Sequence, residues 1–339
     1  MILARRRRLY DMLLENLCFA LVATLVAGYS VVEGRYLGVG MLSLFTRSPE
    51  ERQRTFAQLG APWPGAAPWL LATAGVLLFA FPRVVVTLSR GLTASLGLLL
   101  AALVVRGTAF ELRGWARRGR VRRAAELLLG AASVAASLLL GVVAGHILRG
   151  VPMGPGPELA GRATPSPFPV LLGLVSSASF AVQGALYLRL GAEGERADRL
   201  SAIALGAFVS FLCLFAAATA LTVEVSPFLF VRSSNLHMWL GGAILAAALA
   251  TTPIATSAGR RRLAFVAACA TVVALVAVSA LSLYPGLLPS STAFENSLTI
   301  YNAGAGRRAL AFALAAALFA AAAALGLGRV LHRTARPRT

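Results

Sequence analysis

The chain is dominated by apolar stretches of about twenty residues that recur from one end to the other, each long enough to cross a bilayer core of about 30 Å. Hydrophobic residues make up 58% of the chain and charged residues only 13%. A soluble protein of 339 residues could not bury so much apolar surface. The sequence therefore predicts an integral membrane protein. Because the runs are continuous rather than alternating, it predicts helices rather than barrel strands.

Length and hydropathy predict about nine transmembrane helices in a single polytopic domain covering residues 1–339. The predicted spans are 12–33, 67–88, 91–112, 124–147, 168–190, 201–222, 239–258, 263–284 and 308–330. We expect an all-α integral membrane fold, arranged as two four-helix bundles plus one helix. The connection 285–307 carries Pro285 and Pro289, so it cannot be one continuous helix.

The basic residues are all arginine, and they give the chain a formal net charge of +19. Such a charge suggests a nucleic-acid partner. Here, however, the arginines lie in short connections between apolar runs, which is the positive-inside pattern of membrane proteins, so we expect no nucleic acid. The odd-numbered connections and the C-terminus carry the most arginine. This predicts an inner-membrane protein with its C-terminus in the cytoplasm and its N-terminus outside, although the cluster from Arg5 to Arg8 favours the opposite orientation.

Cysteine and histidine usage gives no sign of a metal site. Cys18, Cys213 and Cys269 each lie inside an apolar run without metal-ligand spacing, so we expect them to be small buried side chains. The chain has no HExxH, GxSxG or Walker motif. We therefore expect neither a metal ion nor a catalytic residue in this chain.

Polar side chains within the apolar runs are the candidate functional residues, because a charge at membrane depth costs several kcal/mol unless it is paired or hydrated. For Glu33 and Arg106 two interpretations are equally open. They form a proton path or a buried ion pair facing a neighbouring cofactor, or they lie at helix ends and reach the membrane interface. Gln183 is expected to hydrogen-bond across helices. His146 is expected to be structural.

Glycine and tryptophan mark the connection after the first predicted helix. Gly34, Gly38 and Gly40 lack the context of a phosphate-binding loop and are expected to form a tight turn at the membrane surface. Trp63 and Trp69 are typical of an interfacial anchor at a helix start.

Several short motifs follow one another in a fixed order between Glu33 and Ala303. They are Glu33-Gly34 followed by Leu37-Gly38-Val39-Gly40-Met41-Leu42; Pro62-Trp63 with Gly65, Trp69 and Leu70; Gly75, Leu78-Phe79-Ala80 and Pro82; Arg106 with Phe110, Glu111 and Arg113; Gly145, Leu148 and Gly150-Val151-Pro152; Gly184-Ala185-Leu186-Tyr187-Leu188; and Tyr284-Pro285, Leu287-Leu288-Pro289-Ser290, Ser297-Leu298-Thr299-Ile300 and Asn302-Ala303. In this order they resemble the motifs of the cytochrome bd quinol oxidase subunit II family. The last group is the longest and the most specific.

This resemblance implies a nine-helix chain with its N-terminus outside, paired with a haem-bearing subunit I. The complex would oxidise quinol, reduce dioxygen to water and generate a proton gradient. The resemblance places haem b and haem d in subunit I, so no cofactor is expected on this chain alone, although a quinone is possible. It also implies that this subunit supplies part of a hydrophilic path from the cytoplasm. Glu33, Arg106, Glu111 and Gln183 are then the proton-path or partner-facing candidates, and Glu111 is expected to pair with Arg113 at the surface.

The chain departs from the family pattern at positions that bear on proton transfer. Pro64 and Ala66 stand where the family has aspartate and asparagine, Tyr36 replaces a second aspartate, and Gln183 replaces a histidine. A proline can neither carry a proton nor donate a hydrogen bond. Either another route serves, with Glu33 and Arg106 as its surviving members, or the chain is a divergent paralogue with an altered partner.

Two other classes of function remain as alternatives. A transporter working alone would need broken helices and a polar site at the membrane midplane, and only Gln183 suggests one. A structural membrane subunit without a redox role is the other alternative, and the loss of the family's aspartate at Pro64 keeps it open.

Overall fold

The computed structural model describes residues 2–46, 48–59, 63–116, 119–154, 161–163, 166–229 and 236–319, with the side chains of 2–11, 59 and 63–65 left aside. Its helices are α1 (Ile2–Ser43), α2 (Pro49–Leu59), α3 (Trp63–Ala80), α4 (Pro82–Gly91), α5 (Thr93–Trp115), α6 (Gly119–Arg149), α7 (Pro167–Leu190), α8 (Gly194–Val225), α9 (Leu236–Ser257), α10 (Arg261–Leu283), α11 (Ile300–Ala303) and α12 (307–319). Two strands, β1 (Gly286–Leu288) and β2 (Leu298–Thr299), and two 3₁₀ turns, Pro227–Leu229 and Phe294–Asn296, complete it.

Within the described residues, seven helices are long and apolar enough to cross a membrane, or eight if the bent pair α3–α4 forms one span. The seven are Met12–Ser43 within α1 and the whole of α5, α6, α7, α8, α9 and α10. These confirm a helical membrane protein. The last predicted span, 308–330, is described only up to residue 319, and that first part lies in α12. The rest of the span lies outside the described residues.

The first helix is longer than the hydropathy pattern predicted, and this changes the interpretation of its glycines. The predicted span 12–33 is too short at its C-terminal end, because α1 continues to Ser43. Gly34, Gly38 and Gly40 therefore lie inside a helix, and the predicted turn is wrong. Glycine costs a helix about 1 kcal/mol relative to alanine. Here that cost is offset by close packing, since a Cβ on Gly34 would lie 2.6 Å from Phe180 Cδ1 of α7.

The second predicted span, 67–88, is wrong as a single helix, because α3 and α4 meet at Phe81 with a bend of 113°. Pro82 begins α4, and its ring cannot donate the backbone hydrogen bond that a continuous helix needs. The carbonyl of Ala80 that the break leaves free accepts a bond of 2.8 Å from the amide of Ala305. Broken backbone at membrane depth requires such a replacement partner.

The all-α expectation is confirmed as the fold class, and one small antiparallel hairpin interrupts the otherwise helical chain. Gly286 pairs with Thr299 and Leu288 with Leu298 in the β1–β2 hairpin. Pro285 and Pro289 flank β1, so the prediction that this segment is no continuous helix is confirmed. Asn302 caps the start of α11 directly after β2, because its Oδ1 accepts from the amide of Thr299 at 2.7 Å and its backbone amide donates to Thr299 Oγ1 at 3.3 Å.

Short connections and mutual packing make α5 to α8 run antiparallel in succession, as do α9 and α10. This gives the molecule two ends. The arginine-rich end holds α2 and the α5–α6, α7–α8 and α9–α10 connections, and the hairpin end holds the α6–α7 connection and the β1–β2 hairpin. α1 packs against α3, α6, α7 and α10, so it is the central helix of the described bundle.

Candidate functional site

A buried ion pair joins the central helix to α5. The Arg106 Nη2 donates to Glu33 Oε1, and the two residues are only 8% and 1% exposed. Because α1 extends to Ser43, Glu33 lies ten residues before its end, about 15 Å inside along the helix axis. Neither residue therefore reaches the interface, and the interpretation of the two as snorkelling helix-end side chains is wrong. They form a buried ion pair, while their part in a proton path and their relation to a neighbouring cofactor stay predictions.

The pair and its neighbour Gln183 carry more hydrogen-bonding capacity than the described residues satisfy. Four buried side-chain atoms have no partner among them: Glu33 Oε2, Arg106 Nε, Gln183 Oε1 and Gln183 Nε2. Gln183 is fully buried on α7, and its Oε1 lies 2.9 Å from the position of a Cβ on Gly34. The prediction that Gln183 bonds across helices is wrong for the described residues. Each such buried atom costs about 1–3 kcal/mol if nothing satisfies it.

The sequence interpretation missed Tyr29 as a member of this site. Tyr29 is buried one helical turn before Glu33, and its phenol lies within electrostatic range of both Glu33 and Arg106. The separation of four residues was the available signal, because positions i and i+4 share a face of a helix. The site therefore combines a carboxylate, a guanidinium, an amide and a phenol from three helices.

A second polar cluster lies at the arginine-rich end and was also missed. Glu126 of α6 pairs with Arg113 at 3.2 Å and with Arg52 and Arg122, each at 3.5 Å. Arg113 also stacks over the ring of Phe56 in α2, 4.1 Å from its centroid. Glu51 of α2 pairs with Arg199 of α8. These contacts clamp α2 onto the ends of α5, α6 and α8.

The predicted surface pair between Glu111 and Arg113 is wrong. Arg113 binds Glu126 instead, and Glu111 is exposed on α5. Each residue turns the helix by about 100°, so residues two positions apart lie about 200° apart and do not face each other. Arg113 follows Arg106 by seven residues, so the Glu126 cluster lies about 10 Å along α5 from the buried pair.

The remaining motif residues are distributed over the fold rather than gathered at the ion pair. Trp63 and Gly65 begin α3, as expected of a helix start, although their side chains lie outside the described set. Trp69 packs its ring against Gly28 of α1. Gly38 and Gly40 pack α1 against α7 and α6. Pro285, Pro289 and Asn302 belong to the hairpin end.

Among the described residues, no group of three or more His, Cys, Asp or Glu side chains could hold a metal ion. Cys18 is buried, as predicted, but Cys213 is exposed, so the expectation of burial is wrong there. His146 is buried near the end of α6, and its Nδ1 has no partner among the described residues.

The geometry describes a polytopic helical membrane subunit whose main internal polar feature is an incompletely satisfied carboxylate–guanidinium site. Residues 14–334 match the family model for cytochrome bd terminal oxidase subunit II. Because this match covers nearly the whole chain, the chain belongs to that family, and the predicted resemblance is confirmed. It is thus a component of an oxidoreductase complex, a bd-type terminal oxidase.

Named relatives agree with this assignment. The chain is 27% identical over 324 residues to cytochrome bd-I ubiquinol oxidase subunit 2 of Escherichia coli strain K12, covering 86% of each chain. It is 25% identical over 311 residues to cytochrome bd ubiquinol oxidase subunit 2 of Bacillus subtilis strain 168, covering 90% of each.

A solved structure shows the same fold. The structure of bd oxidase from Geobacillus thermodenitrificans matches with a TM-score of 0.77 and 17% identity, covering 96% of this chain and 99% of that one. At 17% identity this likeness shows a shared fold.

Proposed function

We propose that this chain is the non-haem subunit of a bd-type quinol oxidase, paired with a haem-bearing subunit I that carries haem b and haem d. The complex oxidises quinol and uses the electrons to reduce dioxygen to water. The family membership supports the general assignment, and the names of the relatives support quinol as the reductant. The chain would span the inner membrane nine times as one domain, in two four-helix bundles plus one helix, with 308–330 as the last span.

Within this complex, the Glu33–Arg106 site would carry protons toward the partner subunit. The observation that supports this role is the set of four buried, unpartnered polar atoms on Glu33, Arg106 and Gln183. Buried polar atoms of this kind are satisfied by ordered water. A carboxylate in contact with such water can accept a proton on Oε2 and release it again. While Glu33 is deprotonated, the positive charge of Arg106 balances its negative charge.

The uptake side would be the arginine-rich end, which the positive-inside rule places in the cytoplasm together with the C-terminus. The buried pair lies about 10 Å along α5 from the Glu126 cluster at this end. Pro64 cannot relay a proton, so the route would reach Glu33 without it. Glu111 is exposed on α5 in the chain alone, which fits a side chain that faces the partner subunit or lipid.

Purification of the tagged chain from its native membrane tests the assignment. A reduced-minus-oxidised spectrum with haem b and haem d bands, a second helical chain and oxygen consumption on added quinol are expected. A haem-free chain that purifies alone would contradict the proposal and favour the transporter. A haem-bearing complex whose turnover does not depend on Glu33 would favour a purely structural role.

The Glu33 test uses Glu33→Gln in the purified complex, with Glu195→Gln as the matched control, since Glu195 is exposed at the start of α8. The amide keeps the shape of the side chain but cannot exchange a proton. Quinol-driven oxygen consumption per haem is expected to fall by about tenfold or more in Glu33→Gln and to stay unchanged in the control variant; dividing by haem content separates this loss from any loss of folded complex that the unpaired Arg106 causes.

A further inference from the structure

A cleft at the arginine-rich end has no role in the function proposed above. It has a volume of about 680 Å³ and lies between the end of α7 and the start of α10. Its lining consists of Leu190, the three consecutive arginines Arg260, Arg261 and Arg262, and Leu263. No acidic side chain of the described residues lines this cleft, so it concentrates positive charge.

The backbone at the cleft adds to that positive charge. α10 is a helix of 23 residues that begins at Arg261, and no side chain caps its N-terminus. The first turn of a helix presents amide groups without helical partners and the positive end of the helix dipole. Such a terminus binds phosphate and carboxylate groups.

Arg189, next to the cleft in sequence, is a separate observation that points to an anion, because it is a buried arginine without a partner among the described residues. Its side chain is only 7% exposed, and its Nε and Nη1 are buried without a hydrogen-bond partner among the described residues. It precedes the cleft residue Leu190 and lies within electrostatic range of Arg261. Asp198 is also within electrostatic range and offsets part of this charge, but it forms no ion pair with Arg189.

The other arginines of this end show what a satisfied arrangement looks like. Arg52, Arg113 and Arg122 share Glu126, and Arg199 pairs with Glu51. Arg189 and the three cleft arginines form no ion pair with any residue in the described part of the chain. A buried guanidinium group requires an anionic partner, and none of the described residues supplies one to Arg189.

We propose that this cleft binds the phosphate headgroup of an anionic phospholipid. Arg189, Arg260, Arg261 and Arg262 would hold the phosphate oxygens, together with the amides that begin α10. The cleft lies where two membrane-spanning helices end, which is the depth of lipid headgroups. Leu190 and Leu263 give it an apolar side against which the glycerol and upper acyl chains can pack. A free phosphate would gain nothing from these leucines.

The test measures lipid binding to the delipidated complex in neutral detergent by native mass spectrometry, with phosphatidylglycerol and phosphatidylcholine as probes. The double variant Arg260→Gln/Arg262→Gln changes two residues that are exposed to the cleft and spares the buried Arg189. Its matched control is Arg54→Gln/Arg120→Gln, which removes two exposed arginines from the same end outside the cleft. Both doubles change the net charge equally.

We expect one phosphatidylglycerol to bind more tightly than phosphatidylcholine, and the cleft variant to weaken it by about tenfold or more. The control should change it by less than about twofold. Equal weakening by both doubles would overturn the proposal in favour of diffuse attraction. Equal binding of both lipids, or full displacement of phosphatidylglycerol by millimolar inorganic phosphate, would overturn it as well. Because the measurement is of binding, its outcome does not depend on quinol oxidase activity.

Arg189→Gln supplies a second measurement. Removing the buried guanidinium should lower phosphatidylglycerol binding in the same range while leaving phosphatidylcholine binding unchanged. If this variant binds both lipids as the unmodified complex does, the buried arginine has no part in the site and the proposal fails.

Discussion

Glu33 and Glu126 are both buried glutamates paired with arginine, yet their surroundings differ in what they leave unsatisfied. Glu33 lies deep in the bundle with one guanidinium, and its Oε2 has no partner in the described part of the chain. Glu126 lies near the arginine-rich surface, where three arginines contact its two oxygens. The fully satisfied carboxylate holds helices together, whereas the incompletely satisfied one has capacity left for water and protons. The number of ion-pair partners of the carboxylate, rather than its burial alone, distinguishes the structural cluster at Glu126 from the candidate functional site at Glu33.

Removal of Arg106 should have the largest effect. Arg106→Leu leaves Glu33 charged and buried without a partner, which costs about 3–5 kcal/mol of stability. The purified complex should unfold at a clearly lower temperature, and its quinol-driven oxygen consumption should fall about tenfold or more. Arg120→Leu, at an exposed position on α6, is the control and should change neither quantity. An unchanged unfolding temperature in Arg106→Leu would mean that the ion pair does not stabilise the fold.

Filling the α1–α7 contact beside Glu33 should have the next largest effect. In Gly34→Ala the new Cβ would lie 2.6 Å from Phe180 Cδ1 and 2.9 Å from Gln183 Oε1, so both side chains must shift. Overpacking of this kind costs about 1–3 kcal/mol. Gly97→Ala is the matched control, because a Cβ there meets nothing within 4 Å. Thermal unfolding of the two variants should shift in opposite directions or by clearly different amounts, and an equal shift would contradict the packing argument.

Neutralising the clamp should have a smaller effect and a different signature. Glu126→Gln removes the charge that Arg52, Arg113 and Arg122 share, and those arginines are 13%, 14% and 42% exposed. We expect a loss of about 1–2 kcal/mol that shrinks in high salt, because part of the cluster is open to solvent. Unfolding temperatures at low and high ionic strength measure this. Turnover per folded complex should not change. A loss of turnover without a loss of stability would instead indicate that Glu126 takes part in proton transfer.

Gln183 should give the smallest change in stability and a distinct change in activity. Gln183→Leu removes two unpartnered amide atoms, so the free energy of unfolding should change by less than about 1 kcal/mol or increase. Turnover should fall by about threefold to tenfold, which is the effect of losing one hydrogen bond to the water that carries the proton. Gln183→His, which restores a polar group, should recover activity relative to leucine. Full turnover in Gln183→Leu would remove Gln183 from the proton path.

The sequence predicted the spans with strong, continuous hydropathy and failed where polar or helix-breaking residues acted through packing. The spans 124–147, 168–190 and 201–222 fall within single helices, and 91–112, 239–258 and 263–284 do so except at one of their ends. Gly34 to Gly40 was misinterpreted as a turn because glycine disfavours helices on average, while contact with α7 and α6 outweighs that preference. The break at Phe81 could have been anticipated from Pro82, but its geometry depends on the amide of Ala305, far along the chain.

The sequence by itself determined the membrane class and the family, because these rest on hydropathy and on the order of the motifs, and it marked Glu33 and Arg106 as candidates because isolated charge in lipid is costly. The structure showed that these two residues pair. Only the tertiary structure decided that Tyr29 and Gln183 join that pair, that Arg113 binds Glu126 rather than Glu111, and that Arg189 has no partner beside Arg260 to Arg262. Such arrangements depend on how different helices pack against one another, between residues that lie tens of positions apart in the chain. Hydropathy and spacing describe each helix singly, and the rotation of one helix against another is set by packing.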